Sequence, residues 1–437
     1  MRKLFYFIPL IFLFSCKQEG KIQSQDLALN QLAKEYVKLG LHIGQYDADF
    51  VDAYYGPDSL KPAAVKPGAF PKDSLLAAVD TLRSRLKVFQ KANGNDTLSN
   101  RAAWMSDQLL AFGRRIRIFS GEYENFDRES QELFGVQAPV YTEKDFRLTL
   151  SRLDSLLPGQ GSIPARFQAL ANRFIIPKNK LDTVFKTAIA ESRKRTLQHF
   201  KLPATESFNL EYVSGKSWSG YNYYKGNYQS LIQINTDMQV FVERAIDVGS
   251  HESYPGHHVY NMLLEKNLYK DKGWVEISLY PLFSPQSLIA EGSANYGIEV
   301  AFPGNEKIRF AKEVILPLAG LDTAGADLYF KALALKGQLN YARNEAARGL
   351  INGTMTETQA SNWLMDLGLY NRETALKSVD FIKKYRSYVI NYNYGQDLVK
   401  EYIESVGGTE SAPSKRWELF GSLLSNEVRA SDLKKAK

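Results

Sequence analysis

Apolar positions recur at helical spacing along most of this chain. Residues 26–41 carry Leu27, Leu29, Leu32, Tyr36 and Leu39, and the same three-to-four periodicity predicts amphipathic helices over 73–91, 98–119 and 143–157. The last of these ends at Leu157-Pro158-Gly159, which a helix cannot continue through. Residues 163–175 and 178–199 follow, parted by Pro177, and Arg193, Lys194 and Arg195 suit the negative end of a helix dipole. At 206–235 the period shortens to two. Phe208, Leu210 and Tyr212 alternate with polar residues, and Leu231, Ile232 and Ile234 form a second extended run. These predict two or more strands of a small sheet, with an aromatic loop (Trp218, Tyr221, Tyr223 and Tyr224, with Gly220 and Gly226) between them. Helical spacing returns with Val240, Phe241, Ala245 and Val248, with Asp237 as the expected cap. Ser284-Pro285 reads as another helix start. Residues 305–319, 322–350, 356–366, 371–390 and 394–406 complete a fold that is mainly α with a small β-sheet.

Composition supports a globular protein: of 437 residues, 44% are apolar and 24% charged. No Ser/Gly linker or charge block interrupts residues 26–437, which predicts one large, mostly helical domain. The net charge of +7 is spread rather than clustered, which excludes a nucleic-acid patch. The N-terminus changes the picture more. Arg2 and Lys3 precede an apolar run from Leu4 to Phe14, a secretory signal too short to span a membrane as a mature helix. Leu13-Phe14-Ser15-Cys16 resembles the bacterial lipobox, which predicts a lipoprotein signal over residues 1–16 in which Cys16 is lipidated and becomes the mature N-terminus. Cys16 is the single cysteine, so no internal disulfide is available. Residues 17–25 read as a polar tether. The expected location is the bacterial cell envelope, lipid-anchored in a bilayer and periplasmic or surface-exposed.

The chemistry concentrates in His251-Glu252-Ser253-Tyr254-Pro255-Gly256-His257-His258, which holds three of the five histidines. Imidazoles suit Zn²⁺, and a neighbouring carboxylate can take a proton from water that a metal activates. The spacing is unusual. In His-Glu-x-x-His the imidazoles lie four apart on one helix face; here Pro255 occupies that place and His257 follows two residues later. On a regular helix, His257 stands about 120° round the axis from His251, and His258 roughly 10 Å along it. A straight helix therefore cannot make the site. Pro255 breaks the hydrogen-bond ladder and Gly256 permits an unusual dihedral, which predicts a bulge or break near 254–256 that returns His257 beside His251.

A third ligand is sought downstream. Glu291, on the helix opened by Ser284-Pro285, would complete a His₂Glu set with an open position for water. Gly292 and Ala294 leave room for another helix, and Glu299 is the second candidate. Arg343, Arg348, Arg386, Tyr385 and Tyr392 are candidates to stabilise an oxyanion.

These residues resemble the bacterial family called domain of unknown function 885, grouped with zincin-like metallopeptidases. His251, Glu252, Pro255, Gly256 and His257 match His-Glu-x-x-Pro-Gly-His. Glu291, Gly292, Ala294 and Tyr296 match Glu-Gly-x-Ala-x-Tyr. Tyr385-Arg386 and Tyr392 to Gly395 match weaker elements near the end, and the stretch around Phe50 to Pro57 is similar to an early one. The resemblance implies a zincin-like helical metallopeptidase fold, with His251, His257 and Glu291 as metal ligands and Glu252 as general base; Tyr392 and Arg386 are the expected oxyanion donors. It implies a zinc-dependent peptidase acting on a peptide substrate. The alternative is a non-catalytic envelope lipoprotein binding a ligand or partner in the same cleft, since Ala347 and Ile351 stand where family members often carry Asp and His. A third reading keeps the metal but cleaves an ester or an amide of a cell-wall fragment.

Overall fold

The computed structural model describes residues 13–63, 68–90, 97–216 and 218–434, with side chains from residue 25 onward. Most of the signal segment and the Cys16 side chain lie outside what is described. The first helix, α1 (Leu13–Gly44), runs through residues 17–25, where a tether was expected. No proline interrupts that segment, and its Lys, Gln and Glu are good helix formers.

After the short strand β1 (Val51–Tyr54) come α2 (Lys72–Gln90), α3 (Thr97–Phe119), α4 (Phe126–Phe134), α5 (Glu143–Leu156), α6 (Ile163–Ala171) and α7 (Leu181–Leu197). Tyr36 of α1 stacks on Phe112 of α3 at 5.1 Å between ring centres, and Phe50 meets the same ring edge-on at 4.8 Å. These contacts hold the loop before β1 against the helical layer.

A three-stranded sheet follows: β2 (Ser207–Val213), β3 (Gly220–Gly226) and β4 (Gln229–Asn235), in the order β2-β4-β3. β2 is parallel to β4 and β3 antiparallel to it. The expected aromatic loop is therefore itself a strand. Its tyrosines favour extended backbone, and Asn227 and Tyr228, with φ of 53° and 64°, form a left-handed two-residue turn into β4.

Two helices then carry the histidine cluster, α8 (Val242–Glu252) and α9 (His257–Leu264). Asp237 does not cap α8; its carboxylate accepts the Gly215 N–H at 2.7 Å, and the helix starts five residues later, at Val242. Strand β5 (Leu279–Pro281) pairs antiparallel with β1 and leads into α10 (Pro285–Ala301). Ser284 caps α10 through the Ser287 N–H, with Pro285 in the first turn, as the Ser-Pro pair predicted.

The rest is helical: α11 (Glu306–Phe310), α12 (Leu316–Ala319), α13 (Ala326–Gln338), α14 (Tyr341–Ile351), α15 (Glu357–Gly368), α16 (Arg372–Tyr385), α17 (Ile390–Ser405), α18 (Pro413–Leu424) and α19 (Ala430–Lys434). Helix breaks split the expected 322–350 and 371–390 runs. The second break is a tight turn over Arg386–Val389, where Arg386 takes φ 54°. Buried apolar side chains form one cluster from Leu29 in α1 to Leu433 in α19. Within it α10 crosses α17 at close range. A Cβ on Gly292 would lie 2.3 Å from the Gly395 carbonyl, so both positions require the absence of a side chain. Among the described residues, no helix is long and apolar enough to cross a membrane.

Candidate metal centre

The octapeptide is broken where its spacing demanded. α8 ends at Glu252, Ser253 adopts φ −115° and ψ −94°, and α9 begins at His257. Gly256 is forced by close packing: a Cβ there would lie 1.9 Å from the His251 carbonyl oxygen. The chain thus folds back on the end of α8, and the two imidazoles meet with Nε2 atoms 3.0 Å apart.

Glu291, on α10, completes the group. Its Oε2 lies 3.3 Å from His251 Nε2 and 3.7 Å from His257 Nε2. Ligands bonded at about 2.1 Å in a tetrahedron stand about 3.4 Å apart, so the three separations fit a single small cation. Among the described residues, His251, His257 and Glu291 form the one set that could hold a metal.

The surrounding hydrogen bonds make the fit chemical as well as geometric. Asn295 donates its amide N–H to the Tyr392 carbonyl at 2.8 Å, which turns its Oδ1 toward His251 Nδ1 at 2.9 Å. His251 therefore donates from Nδ1 and presents a lone pair at Nε2. That lone pair faces Glu291 Oε2, itself buried without a hydrogen-bond partner among the described residues. Facing lone pairs repel, and a cation between them removes the conflict. The other Glu291 oxygen accepts from the Tyr388 hydroxyl at 3.0 Å.

Glu252 lies beside this group with no hydrogen bond to its carboxylate among the described residues. Its backbone carbonyl accepts from Asn222 of β3 at 2.7 Å, which ties the end of α8 to the sheet. Gly220 provides the space: a Cβ there would lie 2.4 Å from Val248 and 3.0 Å from the Glu252 carboxylate. Burial, with added repulsion from Glu291 and Asp52, pushes the Glu252 carboxyl up to about 7, against partial relief from His251 and Arg244. Asp52, on β1, is pushed up to about 6, first by burial, although it accepts from the Tyr221 hydroxyl and feels His257.

The remaining expected residues divide. Tyr392 packs on Tyr388 at 5.7 Å between ring centres, and burial, with the charges of Glu291 and Glu252, raises the pKa of its hydroxyl. Arg386 does not reach it. The left-handed backbone there turns the guanidinium onto buried Glu129, at 2.7 Å, and over Tyr123. Ser387 binds the same carboxylate through its N–H and hydroxyl. The role of Arg386 is thus to clamp the turn that carries Tyr388. Arg348 is likewise engaged, by Asp127 and Glu345. Tyr385 packs on Phe381 and Phe283. Glu299 pairs with Lys400 and Gln396, and His258 is buried between Ser230 and Glu206. Asn295 and Tyr388 were not foreseen as site residues. Asn295 had a signal, being four residues after Glu291 and on its helix face; Tyr388 had none.

No family model matches the chain, and no curated protein does, so the likeness to domain of unknown function 885 rests on the motif residues. Solved structures do match. A candidate lipoprotein from Colwellia psychrerythraea superposes with TM-score 0.53 at 13% identity, over 84% of this chain and 66% of that one. This chain thus spans just under two thirds of that protein's length. At this identity the likeness is one of fold alone. An M32 carboxypeptidase from Deinococcus radiodurans R1 gives TM-score 0.47 at 11% identity, over 94% of this chain and 95% of that one. A candidate lipoprotein of unknown function from Shewanella oneidensis gives 0.44 at 13%, over 83% and 74%.

Proposed function

We propose that this protein is a zinc-dependent peptidase of the bacterial cell envelope, lipid-anchored through Cys16. The observation that carries the reading is the convergence of His251, His257 and Glu291, with the His251 lone pair turned toward an unpartnered carboxylate oxygen. Two imidazoles and one carboxylate form a donor set that favours zinc. Zn²⁺ held there would supply Lewis acidity to activate water and polarise a carbonyl. Glu252, adjacent to His251 and with no hydrogen bond to its carboxylate among the described residues, would accept a proton from water and pass it to the leaving amine. The Tyr392 hydroxyl, whose ring packs on that of Tyr388, would donate to the oxyanion as it develops. Tyr388 and Asn295 hold Glu291 and His251 in place. The motif likeness to domain of unknown function 885 supports the same reading.

The test is Glu252→Gln. Zinc content measured on the purified protein should stay at one per chain while peptide hydrolysis falls about 10²–10⁴-fold. A variant hydrolysing peptides at the wild-type rate would refute the mechanism. The second reading, a non-catalytic binder, is favoured by Ala347 and Ile351 replacing ionisable residues of the family. Purified protein that neither contains zinc nor is stabilised by it would favour that reading.

A further inference from the structure

Two side chains flank His257 at the break between α8 and α9: Tyr254, three residues before it, and His258, one after. Both end on a single carboxylate. Glu206, immediately before β2, accepts the Tyr254 hydroxyl on Oε2, and the same oxygen lies 3.1 Å from His258 Nε2. Its other oxygen accepts from Arg193 of α7, from Nε at 3.0 Å and from Nη2 at 2.5 Å. His258 Nδ1 is 2.7 Å from the Ser230 hydroxyl of β4. Phe208 of β2 packs beside both rings, 6.0 Å from Tyr254 and 6.2 Å from His258, and those two meet edge to face at 5.3 Å. Tyr254 is 1% exposed, and the side chains of His258 and Glu206 are 0% and 3% exposed.

We propose that Glu206 is the positioning residue for His257: by holding Tyr254 and His258, it fixes the angle at which the break returns that imidazole to His251. The proposal rests on the metal-centre reading and deepens it. Backbone bonds across the break are at the long end of hydrogen-bond length, Gly256 N–H to the Ser250 carbonyl at 3.2 Å and Val259 N–H to the Ser253 carbonyl at 3.4 Å. Pro255 and Gly256 contribute no polar side chain. The angle is therefore left to the side chains on either side. A donor set serves a small cation only within about 0.5 Å of its productive geometry, and His258 shares the first turn of α9 with His257, so the two backbones move together. Removing a carboxylate and its partners from water offsets much of what their pairing returns. What the network yields is one arrangement, in which a residue before the ligand and a residue after it are held at the same point. Arg193, whose side chain is 44% exposed, holds the far side of the carboxylate and touches neither flank of His257 through it.

Metal binding reads the angle without turnover. Zinc affinity, by competition with a chromogenic chelator, and the visible absorption of the Co²⁺-loaded protein, which reports coordination geometry, are measured on folded wild type, Glu206→Ala and Glu206→Gln. Glu206→Ala should weaken zinc binding about tenfold or more and change the Co²⁺ absorption. Glu206→Gln, which keeps an acceptor where Oε2 stands, should recover most of both. A Glu206→Ala protein with a lower unfolding midpoint but the wild-type affinity and absorption has lost stability alone, and that result overturns the proposal. If Glu206→Ala is recovered unfolded, Tyr254→Phe decides: it removes one oxygen from a packed ring, and it should weaken zinc binding by a smaller factor, unchanged affinity overturning the proposal. Peptide hydrolysis by the zinc-loaded wild type separates the two claims. Altered metal binding in Glu206→Ala without hydrolysis by wild type supports the positioning role and refutes the peptidase. Hydrolysis by wild type, with Glu206→Ala matching it in affinity and absorption, refutes the positioning role and leaves the peptidase standing. A wild type that takes up neither zinc nor Co²⁺ overturns both.

Discussion

The Asn295 side chain joins His251 to Tyr392: its Oδ1 faces the imidazole Nδ1 at 2.9 Å, and its amide N–H holds the Tyr392 carbonyl at 2.8 Å. One amide thereby sets the tautomer of a proposed metal ligand and the position of the helix that bears the proposed oxyanion donor. Asn295→Ala should weaken zinc binding about 10–100-fold, as loss of an orienting partner does elsewhere. Competition with a chromogenic chelator measures it. Unchanged affinity would show that Asn295 does not orient His251.

Arg386 is predicted to matter for stability rather than for chemistry. Arg386→Ala leaves Glu129, which is 0% exposed, facing Ser387 alone, at a cost of about 3 kcal/mol. Denaturant unfolding should show that loss while zinc affinity, measured where the variant is folded, stays near wild type. A variant of wild-type stability that has lost turnover would return Arg386 to the catalytic list.

The α10–α17 crossing offers a third test. Gly292→Ala drives a methyl into the Gly395 backbone, 2.3 Å away, and overpacking of this kind costs about 1–3 kcal/mol. Because Glu291 precedes the crossing and Tyr392 flanks it, zinc affinity should fall together with the melting temperature. A fully stable Gly292→Ala protein would mean that the helices separate more easily than their contact implies.

Acid sensitivity should come in part from Glu206. Burial raises its pKa, but His258, Tyr254 and Arg193 outweigh that and bring it from 4.5 down to about 2. The folded pKa lies below the unfolded one, so the unfolded state binds more protons in that window and stability rises with pH through it. The contribution is complete above pH 4.5 and is lost as the pH falls through about 2. Urea midpoints for wild type and Glu206→Gln should converge as pH falls across that range. Parallel curves would place the acid sensitivity elsewhere.

Much of the site was legible along the chain because its signals are local. Pro255 and Gly256 forbid a straight helix between His251 and His257, and Ser284-Pro285 start the helix that delivers Glu291. Each is a backbone constraint acting within a few residues. The aromatic strand β3 was misread as a loop because its turn residues, Asn227 and Tyr228, lie outside the usual Asn-Gly pattern.

What only tertiary structure decided concerns partners far apart in sequence. Whether Arg386 faces the metal centre or Glu129 turns on one left-handed residue and on a carboxylate 257 positions away. Asn295 could be seen to share a face with Glu291, but its double engagement with His251 and Tyr392 required α17 to pack against α10. Arg343 reads as an ordinary helix arginine until the fold sets its guanidinium over the Phe381 ring, 4.4 Å from the ring centre. Sequence determines which groups are available and how the backbone bends locally; the balance of burial against pairing, which sets their chemistry, exists only once distant segments are packed together.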